Sequence, residues 1–355
     1  MHQTWELMNV LRKNVNKYCL IYFVFAFLPF ALFSQEGPAT TNFYILFYNV
    51  ENLWDTKDDP QNDDDEFLPQ GDRHWTFRRL NQKLNNTAKV ILASCGFDAP
   101  AIVGLCEVEN RGVLDDLTTQ TPLSGLKYRI IHKDSPDHRG IDVALLYQPE
   151  QVVPIEYEYL PLIGEKGSVL LTREILQACF LFPTGDTLHV FVNHWPSRYS
   201  GQAETEAQRL LAAHTLRKAV DELLAVNSRV KVVIMGDFND QPQNKSMRIT
   251  LGTVPIDTET RRGLVNLSAA WPPDGTLKHQ QSWQVFDQLV VTDCLLSPEG
   301  LHTTPADAQI VKLPFLFEPD PKYGGRRLFR TYLGFKYQGG FSDHLPVRLK
   351  LTYTD

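Results

Sequence analysis

The chain has 355 residues, 43% hydrophobic and 22% charged, with a formal net charge of -7 and a pI of about 5.8. This composition excludes a disordered or collagen-like chain. It also excludes a strongly basic nucleic-acid binder, although a bound cation or a local cleft can still present positive potential on an acidic protein.

The first 34 residues are expected to stand apart from the fold. Arg12, Lys13 and Lys17 precede the uncharged apolar stretch 18–33, and Ser34-Gln35-Glu36 then restores polar sequence. A basic segment, an apolar segment and a small residue at its end read as an export signal cleaved near residue 34. The alternative is an uncleaved membrane anchor. A spanning helix needs roughly 20 apolar residues, and this stretch is shorter and contains Pro29. The mature chain is therefore expected to be exported, to the periplasm or beyond, as a soluble monomer with no obligate protein partner. Of the five cysteines, Cys19 lies in the leader, and Cys95, Cys106, Cys179 and Cys294 sit in or beside apolar runs without CxxC spacing. They read as buried free thiols rather than zinc ligands, although an exported chain could pair two of them.

Beyond the leader, apolar runs rich in Val, Ile, Phe and Tyr predict strands at 43–48, 101–106, 128–132, 141–147, 151–157, 175–182, 188–193, 230–235, 285–291 and 347–353. Two segments predict helices. Residues 78–94 place Leu80, Leu84, Ala88 and Ile91 on one face, with Gly96 as a stop. Residues 204–225 carry Leu210, Leu211, Val220, Leu223 and Leu224. So many strands and so few long helices argue for sheets packed on each other with helices outside. No repeat or linker divides residues 35–355, which reads as one domain. Two stretches read as long loops. Segment 55–75 holds Asp58, Asp59, Asp63, Asp64, Asp65 and Glu66. It reads as a solvated acidic loop in preference to a Ca²⁺ site, because EF-hand spacing is absent. Segment 300–340 is rich in Pro, Gly and Arg and is expected to pack around the rim of a site.

Chemistry concentrates where strands end or begin. Gly236-Asp237-Phe238-Asn239 follows the run 230–235, and a strand ending this way sets Asp237 and Asn239 on one side, two residues apart. Such a pair can hold a water by two hydrogen bonds; the plain alternative is an Asx-rich turn. Glu107 closes a fully apolar run, where a carboxylate is costly unless a cation or donor meets it, so it reads as a metal ligand or a capping carboxylate. Glu109 reads as its solvated neighbour. Asn49 could cap a turn or lend a carbonyl to the same metal. Adjacent residues point apart, so Asp343 could face a metal while His344 faces a phosphate. His344 would need a carboxylate to fix its tautomer, and Asp287 is the best candidate. His194 could donate to a phosphate oxygen or be a satisfied core histidine. Arg139 could supply a planar donor fork for phosphate or be a surface charge. Hard oxygen donors suit Mg²⁺ or Mn²⁺.

Seven segments together resemble the endonuclease/exonuclease/phosphatase (DNase I-like) family, in family order over nearly all the mature chain. They are FYNVENLWD (47–55), VGLCEVEN (103–110), HRGIDVALLY (138–147), VNHWPSR (192–198), MGDFND (235–240), FDQLVV (286–291) and GFSDHLPV (340–347). The likeness is nearer to exported bacterial members than to apurinic endonucleases. It implies an α/β four-layer sandwich, two packed and mostly antiparallel sheets flanked by helices. It implies a divalent-metal phosphoesterase in which Glu107 is the main metal ligand and Asn49 and Asp343 assist it. Asp237 and Asn239 then orient the nucleophile, Asp287 and His344 form a carboxylate–histidine pair, and Arg139 and His194 contact phosphate. The expected activity is Mg²⁺- or Mn²⁺-dependent hydrolysis of phosphodiesters, with a nuclease acting on nucleic acid as the first reading. A phosphatase, a phospholipid phosphodiesterase or a non-catalytic binding protein are the alternatives. Segments 55–75 and 300–340 exceed a minimal member and bear on substrate access.

Overall fold

Strand β1 (Thr40–Leu53) sets the plan of the molecule. Phe43, Ile45 and Phe47 turn to one face, Leu46, Tyr48 and Val50 to the other, and all are buried. A strand apolar on both faces has to be covered on both. The computed structural model describes residues 40–354 apart from 165–166, 200, 257–262, 272 and 274, so the predicted leader and Cys19 lie outside the described residues.

In chain order β1 is followed by helix α1 (Phe77–Ala93), β2 (Ile102–Val108), helix α2 (Arg111–Thr119), β3 (Arg129–His132) and β4 (Asp142–Tyr147). Then come β5 (Val153–Leu160), β6 (Ile175–Leu181), β7 (Thr187–His194), helix α3 (Glu206–Val226), β8 (Val232–Asp237), β9 (Val254–Pro255) and β10 (Leu264–Asn266). The hairpin β11 (Leu277–His279) and β12 (Ser282–Gln284) precedes β13 (Asp287–Thr292) and β14 (Ala308–Ile310). Two more hairpins, β15 (Phe317–Pro319) with β16 (Arg326–Leu328) and β17 (Tyr332–Leu333) with β18 (Lys336–Tyr337), lead to β19 (Val347–Thr354).

One sheet has the order β14-β19-β1-β2-β4-β3 and the other β5-β6-β7-β8-β13-β10-β9. Both are mixed. The first has one parallel pair, β1 with β2, and the second has two, β7 with β8 and β9 with β10. The sheets face each other across Ile45, Phe47, Leu145 and Leu349 on one side and Leu176, Phe180, Val192, Met235 and Leu289 on the other. Helix α1 covers the outer face of the first sheet with Leu80, Leu84, Ala88 and Ile91, the stripe its periodicity predicts. Helix α3 covers the second with Ala212, Ala213, Leu216 and Val220. The result is the four-layer α/β/β/α sandwich expected of the sequence.

A parallel pair needs a crossover connection, and α1 and α3 supply it for β1/β2 and β7/β8. The ends of all four strands thereby meet at one edge of the sandwich. The antiparallel neighbours β13 and β19 begin there, with Asp287 opposite Asp237 and Val347 opposite Phe47.

Some local expectations shift. Strand β1 runs five residues past the predicted 48, so Asn49 lies inside a strand rather than after one. Helix α2 was not legible as periodicity, being short and polar; Asn110 caps it by accepting from Val113 N at 3.1 Å. Segment 300–340 folds into β14–β18, and its Leu316, Leu328 and Tyr332 cover part of the outer core. Cys95, Cys106 and Cys179 are buried, Cys294 is half-buried, and all four are free thiols. Among the described residues no helix is long and apolar enough to cross a membrane.

Candidate active site

A bulge in β2 opens the site. The register with β4 slips between Cys106 and Val108, and Glu107 takes φ of 61°. A bulge turns one side chain out of the normal alternation. Glu107 keeps 18% of its side chain exposed, while Cys106 and Val108 stay buried. Strand β1 slips against β2 between Asn49 and Leu53, and Glu51 and Asn52 take φ of 50° and 57°. Each left-handed non-glycine residue costs about 1–3 kcal/mol, which the surrounding sheet must hold in place. In return Asn52 N donates to Glu107 Oε2 at 3.0 Å. Asn49 Nδ2 donates to Glu107 Oε1 at 3.0 Å and to Asp237 Oδ2 at 3.1 Å, linking carboxylates from the two sheets.

Gly236 explains how β8 reaches this point. A Cβ there would lie 2.4 Å from the Asn193 carbonyl oxygen, so only glycine lets β7 and β8 run this close. His194 and Asp237 are then register partners. Asp237 Oδ1 accepts from Asn239 N at 2.9 Å. Its Oδ2 lies 3.9 Å from His194 Nε2 and 3.8 Å from His344 Nε2, too far for direct hydrogen bonds. Burial, with Asp287 and Glu107, pushes the Asp237 carboxyl up to about 7 against the pull of His344 and the Asn239 N–H. The strand rule invoked for Asn239 does not apply, because β8 ends at Asp237. Asn239 instead has φ of 50° and folds back, giving Nδ2 to the Trp195 carbonyl at 3.1 Å.

His344 and Asp287 are brought together as a buried pair, with Nδ1 2.7 Å from Asp287 Oδ2. Ser342 fixes the backbone: its Oγ donates to the Asn49 carbonyl at 2.7 Å and accepts from His344 N at 3.0 Å. Burial alone would lower this imidazole, but Asp287 and Asp237 outweigh it and hold His344 protonated well above the usual range. His194 is the opposite case. Burial, then Arg173, Arg139 and His344, press it well below its usual value, so it is neutral at pH 7. Two histidines facing one carboxylate thus carry different charges, set by their surroundings.

Arg139 is not hydrogen-bonded to His194 or Asp237. It pairs with Asp137 at 3.1 Å, and the buried Arg173 holds the other oxygen of Asp137 at 2.6 Å. Burial would raise the Asp137 carboxyl, but the two guanidinium groups hold it below its usual range. Arg139 and Arg173 line a cleft of about 410 Å³ with Thr172, Ser197 and Tyr199.

Asp343 turns away from His344, as adjacent residues do, and meets Arg330 Nη2 at 2.7 Å. Arg330 also holds Glu51 at 2.7 Å. Burial and then Asp343 raise the Glu51 carboxyl. Lys83 of α1, 1% exposed, donates to Thr331 Oγ1 at 2.6 Å and the Phe341 carbonyl at 2.5 Å, and burial lowers it to about 8. Sequence reasoning missed Glu51, Lys83, Arg330, Asp137 and Arg173. Glu51 stands two residues after Asn49, and Lys83 interrupts the apolar stripe of α1 beside Leu84; both are readable signals. Arg330 had none. Glu109, expected to be solvated, is 5% exposed, accepts from Asp55 N and is pushed by burial to about 8.

Carboxylate oxygens such as those of Glu107 are of the type a hard divalent cation takes. Glu51 and Asp343 are both paired with Arg330, and Asn49 Oδ1 accepts from Glu51 N at 2.9 Å. Among the described residues, Asp237, Asp287 and His344 each bring one ligand atom within 4.8 Å of the others beside Glu107.

The sequence model of the Endonuclease/Exonuclease/phosphatase family matches residues 44–353. Solved structures agree in fold. A family protein from Bacteroides thetaiotaomicron aligns with a TM-score of 0.56 at 16% identity, covering 89% of this chain and 100% of its own. A mannosyl-6-phosphatase from the same organism gives 0.55 at 16%, covering 87% and 99%. TDP2 from D. rerio, crystallised with a single strand DNA product, gives 0.52 at 14%, covering 88% and 99%. A search of the curated proteins gives no match. The fold and the family match together place this chain among the phosphoester hydrolases that generally use divalent metals. It belongs to the endonuclease/exonuclease/phosphatase family.

Proposed function

We propose that this protein is an exported Mg²⁺- or Mn²⁺-dependent phosphodiesterase, acting first as a nuclease and as a monomer. The observation that carries the reading is Asp237 Oδ2, set 3.9 Å from a neutral His194 and 3.8 Å from a protonated His344. In this reading these three groups bind a phosphate oxygen or the attacking water.

Glu107, with Asn49 and Asp343 as helpers, would hold a divalent ion, which when bound would supply Lewis-acid polarisation of a phosphate oxygen and charge neutralisation at the leaving oxygen. Asp237 and Asn239 hold the attacking water. Asp237, near 7, accepts the proton released as the water oxygen bonds to phosphorus and the phosphorus–oxygen ester bond breaks. His344, kept charged by Asp287, donates to a non-bridging oxygen. His194 contacts the same phosphate, and Arg139 stabilises charge spread over the equatorial oxygens. The cleft beside Arg139, with Tyr199 almost fully exposed, gives room for the second substituent of a diester.

A phosphomonoesterase is the second reading, favoured by the likeness to the mannosyl-6-phosphatase. Initial rates on bis-p-nitrophenyl phosphate and p-nitrophenyl phosphate, with Mg²⁺, Mn²⁺ or EDTA, separate the two. DNA, RNA, phospholipid and sugar phosphates follow. Diester hydrolysis abolished by EDTA is the expected result. A monoester preference transfers the conclusion to the second reading, and turnover unaffected by EDTA overturns both.

A further inference from the structure

The acidic loop after β1 contains a buried carboxylate oxygen with nothing to bind it. Asp64 is 2% exposed, and its Oδ1 has no hydrogen-bond partner. Its Oδ2 accepts only from Asp59 N, at 3.1 Å. Among the described residues no Lys or Arg pairs with Asp58, Asp64 or Asp65. A buried, unpaired carboxylate oxygen is expensive, so such groups are normally met by a donor or a cation. Asp58 and Asp65 supply the other half of the argument. One oxygen from each lies with one from Asp64 inside 4.8 Å. Two oxygens about 2.3–2.6 Å from a shared Ca²⁺ can stand up to roughly 5 Å apart. Asp58 and Asp65 are exposed, leaving space for the waters that complete a Ca²⁺ shell.

We propose that Asp58, Asp64 and Asp65 form a structural Ca²⁺ site, separate from the candidate metal ligands at Glu107. The solvated-loop reading of the sequence rested on the missing EF-hand spacing, but three carboxylates folded together need no such spacing. Asp64 precedes the single helical turn Asp65–Phe67, whose Phe67 stacks on Trp54 at 5.1 Å and anchors the loop in the core. The loop also touches the phosphate side of the cleft. Asp63 N donates to the His138 carbonyl at 2.9 Å, next to Arg139. Asn62 packs so tightly on Gly140 that a Cβ there would lie 2.6 Å from its Cγ. Ordering this loop therefore steadies the turn that carries Arg139.

The test uses the full chain and Ca²⁺ itself, read by calorimetric titration and by thermal melting. Wild type is expected to bind with Kd of about 10⁻⁴–10⁻³ M and to melt several degrees higher in excess Ca²⁺. Glu107→Gln should keep both effects, since its lesion is elsewhere. Asp64→Asn should lose them. Asp58→Asn and Asp65→Asn change exposed residues, keep the fold, and should each weaken binding roughly tenfold or more. The proposal is overturned if wild type shows no Ca²⁺ effect. It is equally overturned if the Asp58 and Asp65 variants match wild type, or if Glu107→Gln removes the response. None of these readouts depends on turnover, so they stand apart from the phosphodiesterase reading.

Discussion

Asp237 is buried to 2% exposure, yet it is the carboxylate both histidines face. Its carboxyl stands at about 7 against an ordinary 3.8, so the native state holds the proton more tightly than the unfolded chain does. The sign follows directly: this group subtracts stability as pH rises from about 4 to 7, and that cost persists above 7. Asp237→Asn removes the cost. Its melting temperature should exceed wild type at pH 8 and match it near pH 4, as melts across that range will show. The same change should lower kcat by about 10²–10⁴-fold with KM little altered, because the lost interaction belongs to the transition state. The wild-type kcat/KM should fall below about pH 7 as Asp237 takes up its proton, and the variant should lack that limb. His344→Ala and Asp287→Ala test the pair. In a cycle of turnover rates the double variant should be little worse than the worse single. Multiplicative losses would return Asp287 to a structural role at a strand end. Glu107→Gln keeps shape and removes charge; it should fold as wild type while Mn²⁺ affinity and turnover collapse together. A fully active variant would show that the ligand is elsewhere.

The elements matter because two parallel pairs deliver side chains at one edge. Strands β7 and β8 touch so closely at Gly236 that nothing larger fits. Gly236→Ala should cost about 1–3 kcal/mol through overpacking, and it should also spoil catalysis by spreading His194 from Asp237. Chemical denaturation and steady-state rates on the same sample will separate a purely global loss, in which the remaining folded fraction is fully active, from a displaced site. The bulges at Glu107 and at Glu51–Asn52 do similar work. They take the carboxylate and its donors out of strand alternation, which is why alternation alone could not locate them.

At the scale of the molecule, export is the remaining expectation. Mass spectrometry of the native mature protein should find an N-terminus near Gln35, and a mature chain that keeps 18–33 would mean an anchor instead. The packing of sheets on each other, the apolar strands and both long helices were legible in the sequence, because burial imposes period-2 and period-3.6 patterns on the chain itself; the buried face of α3 was not, since Ala212, Ala213 and Leu216 fill it while Leu210, Leu211, Leu223 and Leu224 are half-buried. The residues Asn49, Glu107, His194, Asp237, Asp287 and His344, singled out because polar groups stand out against apolar runs, are brought close together. What the pattern could not carry was pairing across distance. That Arg330 would join Glu51 to Asp343, that Asp137 would bind Arg139 and Arg173, and that Glu109 would be buried depend on how loops dock. The charge states followed as well. The sequence by itself determined two histidines and a set of carboxylates at strand ends; the tertiary structure decided that one histidine is neutral and the other charged, because burial and neighbouring charge exist only once the sheets have closed on each other.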